Sequence, residues 1–88
     1  MLCQNKNDTV EAIKWVGNTA HDVPIWFSDA LRMNKNDVGS IHTFYSDLYV
    51  HTPKGVRICN PGDYIVRLPN GTLLAVWAVV FENVWETL

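Results

Sequence analysis

The sequence predicts an α+β fold, a single small domain over residues 1–88 in which an antiparallel β-sheet is packed by one amphipathic helix. Three observations predict it. Between Ile41 and Val80 the chain is a series of short β-rich runs cut by Gly and Pro turns, the pattern of a meander of about five to six strands once the N-terminal strand is added. A single segment, Asp22–Met33, carries apolar residues at helical spacing. Finally, 48% apolar residues, with four Trp, three Tyr and three Phe, give 88 residues the means to build a core. No linker, repeat or low-complexity tract divides the chain.

The elements follow in order. Thr9–Val16 is rich in Val, Ile and Trp and stops at Gly17-Asn18, which reads as a strand. Both of its faces carry apolar groups, as expected of a central strand. In Asp22–Met33, the residues Val23, Trp26, Phe27, Ala30 and Leu31 fall on one helical face. Asp22 is the expected cap, and Pro24 sits early, where a missing N–H is harmless. Gly39 closes the polar stretch that ends the helix.

Ile41–Tyr45, Leu48–Thr52, Val56–Cys59 and Asp63–Leu68 read as successive strands, separated by Ser46-Asp47, Pro53-Lys54-Gly55 and Asn60-Pro61-Gly62. Alternation along the last of these places Tyr64, Val66 and Leu68 on the core and Ile65 and Arg67 on a wet face. Asp63 is read as a turn residue whose carboxylate accepts backbone N–H bonds. Pro69-Asn70-Gly71 turns the chain into a strand from about Thr72 to Trp77. A short helical turn near Val79–Asn83 and an extended tail follow.

Charge excludes some functions. The formal charge is −2, and the seven Lys and Arg are scattered singly, so nothing predicts a nucleic-acid surface. The longest apolar run, Leu73–Phe81, is far shorter than the roughly 20 residues of a membrane helix. Two cysteines, Cys3 and Cys59, form no disulfide scaffold or zinc spacing. The polar N-terminus is unlike a secretory signal. The expectation is a cytoplasmic protein with no membrane association.

Candidate chemistry is sparse. His42 and His51 come together if their two strands form a hairpin, and Cys59 is the thiol to pair with them. The ligand spacing of a metal site is missing, and the five isolated glycines make no phosphate loop. The expectation is therefore no enzyme activity, no metal and no cofactor. Aromatic residues remain. Tyr45, Tyr49 and His51, on a polar-edged hairpin, and Trp77 are the predicted partner-binding residues, because exposed aromatics anchor protein interfaces. Leu73–Val80, apolar on both faces, needs covering on both, and a homodimer interface is one way to cover it.

Several stretches together resemble a group of small proteins carried by bacteriophages and prophages. They are "VEAIKW" (residues 10–15), "VPIWFSDAL" (23–31), "NPGDYIVR" (60–67), the Asn70-Gly71 turn and "VFENVWE" (80–86). The likeness covers most of the chain and is thin between Asn34 and Ile58. Where the group has a Tyr-Pro-x-Lys-Pro-Asp segment, this chain has the continuously apolar Leu74–Val79. The matching residues are structural in character, and the resemblance implies no catalytic residues.

The resemblance implies a phage-encoded accessory protein, acting in the host cytoplasm. With a small size and an aromatic surface, the expected role is stoichiometric inhibition of a bacterial antiviral defence system such as a CRISPR complex. That needs only about 800 Å² on each partner. Two alternatives stand beside it. One is a sponge for a signalling nucleotide, with Arg57 and Arg67 on phosphates. The other is a minor virion or assembly component.

Overall fold

Turn chemistry cuts the chain close to where the sequence places the cuts, but the pieces assemble differently. The computed structural model describes residues 1–5, 8–19 and 22–88. Among them lie eight strands and two helices. The strands are β1 (Leu2–Asn5), β2 (Asp8–Lys14), β3 (Ile41–Phe44), β4 (Asp47–Thr52), β5 (Gly55–Cys59), β6 (Tyr64–Arg67), β7 (Leu73–Val76) and β8 (Glu86–Thr87). The helices are α1 (Ile25–Arg32) and α2 (Ala78–Val84). The α+β class and the single small domain are as expected, and all strand pairs are antiparallel.

The single meander is not. The strands form two sheets, one of five in the order β7-β6-β2-β1-β8 and one of three in the order β3-β4-β5. Only the second is a meander. The switch occurs at Asn60-Pro61-Gly62-Asp63, where Gly62 takes a φ of +98°. There the chain leaves β5 and enters the other sheet. The Gly62 N–H donates to the Trp15 carbonyl at 2.6 Å and Trp15 N–H to the Asp63 carbonyl at 2.8 Å, which extends the β2–β6 ladder. A turn that looks like a hairpin in sequence is a crossing between sheets.

A second correction concerns the number of covering helices. The larger sheet is covered on both faces. On one, Trp15, Ile65 and Leu73 pack with Phe27 and Ala30 of α1 and with Ile41, Leu48, Val50 and Cys59 of the smaller sheet. On the other, Cys3, Val10, Ala12, Tyr64 and Val66 pack under Phe81 of α2. Tyr64 and Phe81 stack with ring centroids 3.9 Å apart. The expected wet face of β6 is thus a second core, and Ile65 is completely buried.

Within α1 the predicted face holds. Phe27 and Ala30 are buried, and Val23, Trp26 and Leu31 pack against the core. The cap does not hold: the helix starts after Pro24, with no side-chain cap, and Asp22 lies outside it. Trp26 Nε1 donates instead to Glu11 on β2 at 2.6 Å, tying helix to sheet.

Candidate functional site

Cross-strand register builds the most distinctive surface, the outer face of β3-β4-β5. Alternation sends Ile41, Leu48, Val50, Thr52 and Cys59 inward, where all are buried. Their neighbours therefore point out. His42 lies opposite Tyr49 and Tyr49 opposite Ile58; Phe44 lies opposite Asp47 and His51 opposite Val56. The rings form a contiguous row. His42 is 5.2 Å from Tyr49 and 5.7 Å from His51, and Phe44 is 5.9 Å from Tyr49 and 4.7 Å from Tyr45. Phe44 is 54% exposed and Ile58 47%, a large uncovered area for such side chains.

Tyr45 lies in the turn between β3 and β4 rather than in the predicted strand. It has a φ of +55°, a left-handed conformation that costs a residue with a Cβ about 1 kcal/mol. Among the described residues it is the only non-glycine in that region. The turn holds its ring 89% exposed at the tip of the aromatic row.

The predicted residues divide between two places. Tyr45, Tyr49 and His51 share the outer face. Trp77, 67% exposed, belongs to the β7–α2 junction. A hydrogen-bonded chain connects them. Asp63 Oδ1 accepts from the Ala78 N–H at 3.0 Å, Asp63 Oδ2 from the Asn60 N–H at 3.3 Å, and Asn60 Nδ2 donates to Asp47 at 2.9 Å. Asp63 thus keeps its turn role and also caps α2, whose first turn has no acidic residue of its own.

Arg57 and Arg67 do not converge. β5 and β6, predicted as neighbouring strands, belong to different sheets. Arg57 lines a cavity with Lys54, whereas Arg67 lines another with Trp26 and Asp29.

Nor does a Cys/His pair form. The three-stranded sheet separates Cys59, on its inner face, from His42 and His51 on the outer one. Burial pushes the Cys59 thiol up to about 12, with Asp63 and Asp47 adding to the shift. On the outer side, His42 Nδ1 is shielded from solvent without a hydrogen-bond partner. Partial burial lowers the His42 pKa first, and the positive charge of Lys35 and the His51 ring lower it further. Among the described residues, no group of three or more His, Cys, Asp or Glu side chains is placed to hold a metal ion. Among them also, no helix is long and apolar enough to cross a membrane.

Sequence reasoning brings His42 beside His51 on the hairpin, as found, but misses Phe44, Val56 and Ile58 as members of this face. The signal was present in the positions two apart on each strand, but the register is set by a Tyr45-Ser46 turn, one residue earlier than the Ser46-Asp47 turn that the sequence suggests. Comparison of the chain with protein-family models, with curated proteins and with solved structures finds no match.

Proposed function

We propose that this chain works by binding, docking at equal stoichiometry on another protein through the outer face of the three-stranded sheet. The observation that carries this reading is the contiguous row of His42, Phe44, Tyr45 and Tyr49 flanked by Ile58, with Tyr45 held exposed at its tip by the positive-φ turn that joins β3 to β4. Rigid aromatic side chains lose little entropy on docking and anchor interfaces from their centre. The resemblance to phage-carried proteins supplies the partner class, a component of a bacterial antiviral defence system in the host cytoplasm, inhibited by occlusion. Sequestration of a nucleotide by Arg57 and Arg67 acting together lacks a shared site.

The test is capture from lysate of a bacterial host, followed by light scattering on the purified complex. Wild-type chain should enrich one defence complex at equal stoichiometry. Tyr45→Gly combined with Phe44→Ser should lose that capture while melting within a few degrees of wild type, since neither side chain supports the core. Capture that survives the double variant, or enrichment of virion structural proteins instead, overturns the proposal.

A further inference from the structure

The last rung on one covered face of the five-stranded sheet holds a charge that the fold does not use. Glu11 of β2, Arg67 of β6 and Leu73 of β7 lie side by side in register. They follow Ile13, Ile65 and Ala75, which pack in the core beneath α1 and the small sheet, so alternation puts all three on that same face. Leu73 is buried there and Arg67 is half-buried. Glu11 is the cross-strand neighbour of Arg67, yet its carboxylate accepts from the Trp26 indole at 2.6 Å. Among the described residues the Arg67 guanidinium forms no ion pair and no hydrogen bond. Charges drawn this far into a protein are ordinarily paired.

The guanidinium lines a cavity of about 290 Å³, near the lower end of the range for small-molecule sites. Trp26 of α1, Met33 and Val38 beyond that helix, and Leu73 of β7 give the cavity an apolar wall. Arg67 is the one cation of the lining and Asp29 the one acid, and Asp29 is already engaged by Arg32 at 3.3 Å. Gly39 and Gly71 contribute backbone alone to the rim. No atom lies within 4 Å of where a Gly71 side chain would start, so the mouth stays open at that turn.

We propose that this cavity binds a small monocarboxylate with an apolar body. The fork of Arg67 takes the carboxylate through paired N–H bonds. Trp26, Met33, Val38 and Leu73 receive the apolar body. The nearby carboxylates of Asp29 and Glu11 repel a second negative charge, so phosphates, nucleotides and dicarboxylic acids are selected against. This inference does not rest on docking through the aromatic face, which belongs to the other sheet.

The test is titration of the ¹⁵N-labelled chain with 4-methylpentanoate. Its neutral amide and inorganic phosphate serve as controls. Saturable shifts should appear at the Trp26 indole N–H and at the Gly39 and Gly71 amides, with half-saturation at about 1 mM or below. The amide should bind about tenfold more weakly or worse, and phosphate should not saturate these signals. Arg67→Gln should weaken binding about tenfold or more, and Arg67→Lys should recover part of the loss. Removing a guanidinium that bonds to nothing should leave the melting temperature within a few degrees of wild type. Should Arg67→Gln fail to fold, Val38→Trp carries the test: Val38 is 59% exposed, so a larger ring there should fill the cavity and abolish binding without disturbing the core. The Tyr45→Gly/Phe44→Ser chain should bind the acid as wild type does, which separates this site from the docking face. Absence of saturable shifts at the three probes overturns the proposal. So does equal binding of the amide, or phosphate binding as tight as that of the acid.

Discussion

β6 and β4 both run inside their sheets, yet their side chains live in different surroundings. Tyr64, Ile65 and Val66 of β6 are buried in succession, because a core lies on each side of the strand. β4 alternates, with Leu48, Val50 and Thr52 buried and Asp47, Tyr49 and His51 half-buried on the outside. The difference teaches where the fold is held and where it is free. The five-stranded sheet spends both faces on cohesion, under α1 and the small sheet on one side and α2 on the other. The three-stranded sheet spends one face, and its aromatic face is left uncovered.

The comparison is broken most severely by attacking the second core. Phe81→Ala should cost about 3–5 kcal/mol, since the ring is nearly fully buried and stacks on Tyr64. Phe44→Ala, on the outer face, should cost under about 1 kcal/mol. Urea unfolding of the two variants measures both. If the two losses are equal, the contrast between the sheets is wrong.

Cys59 probes the inner face of the small sheet by pH. Its folded pKa, about 12, lies above its usual 9.0, so the folded state keeps the proton while the unfolded chain loses it. The contribution is complete below pH 9.0 and is lost as pH rises toward 12, a total on the order of 4 kcal/mol. Alkaline unfolding between those limits should flatten in Cys59→Ala compared with wild type. Asp63→Ala tests the junction between the sheets. It should cost about 1–2 kcal/mol, through the lost cap on Ala78 and the loosened Asn60 turn, read as a shift in melting temperature.

The smallest effect is His42. Its folded pKa is lowered, so the unfolded chain binds more protons as pH falls through the usual histidine value of 6.5. Stability should therefore decline on acidification below that value, and His42→Gln should reduce the slope. An unchanged slope would mean that His42 is as solvated in the fold as in the unfolded chain.

Much of this was legible in the sequence. The helical spacing of Trp26, Phe27, Ala30 and Leu31 and the strand starts set by Gly55 and Gly71 are local signals, and they were read correctly. What escaped was decided by distant contacts. β1 shows no apolar alternation in "LCQN"; it is a strand because β2 offers it a backbone ladder. Ile65 reads as solvent-facing because alternation reports one buried face and is silent about a second. The crossing at Pro61-Gly62 resembles a hairpin turn, because local turn chemistry is the same whether the next strand pairs back or enters another sheet. On the aromatic face, Tyr45, Tyr49 and His51 stand out by composition alone, and the structure places them together. Phe44 and Ile58 needed the register, which only strand pairing supplies, and Arg57 and Arg67 were misjudged for the same reason.

The most direct test places one charge in each sheet. Urea unfolding of Val66→Asp and Ile58→Asp compares the same aspartate in a two-sided core and on the uncovered face. Val66→Asp buries an unpaired carboxylate and should abolish cooperative unfolding, whereas Ile58→Asp should stay within about 1 kcal/mol of wild type, the span of strand propensity. A Val66→Asp chain that unfolds near the wild-type midpoint, or an Ile58→Asp chain that collapses alongside it, would contradict the account.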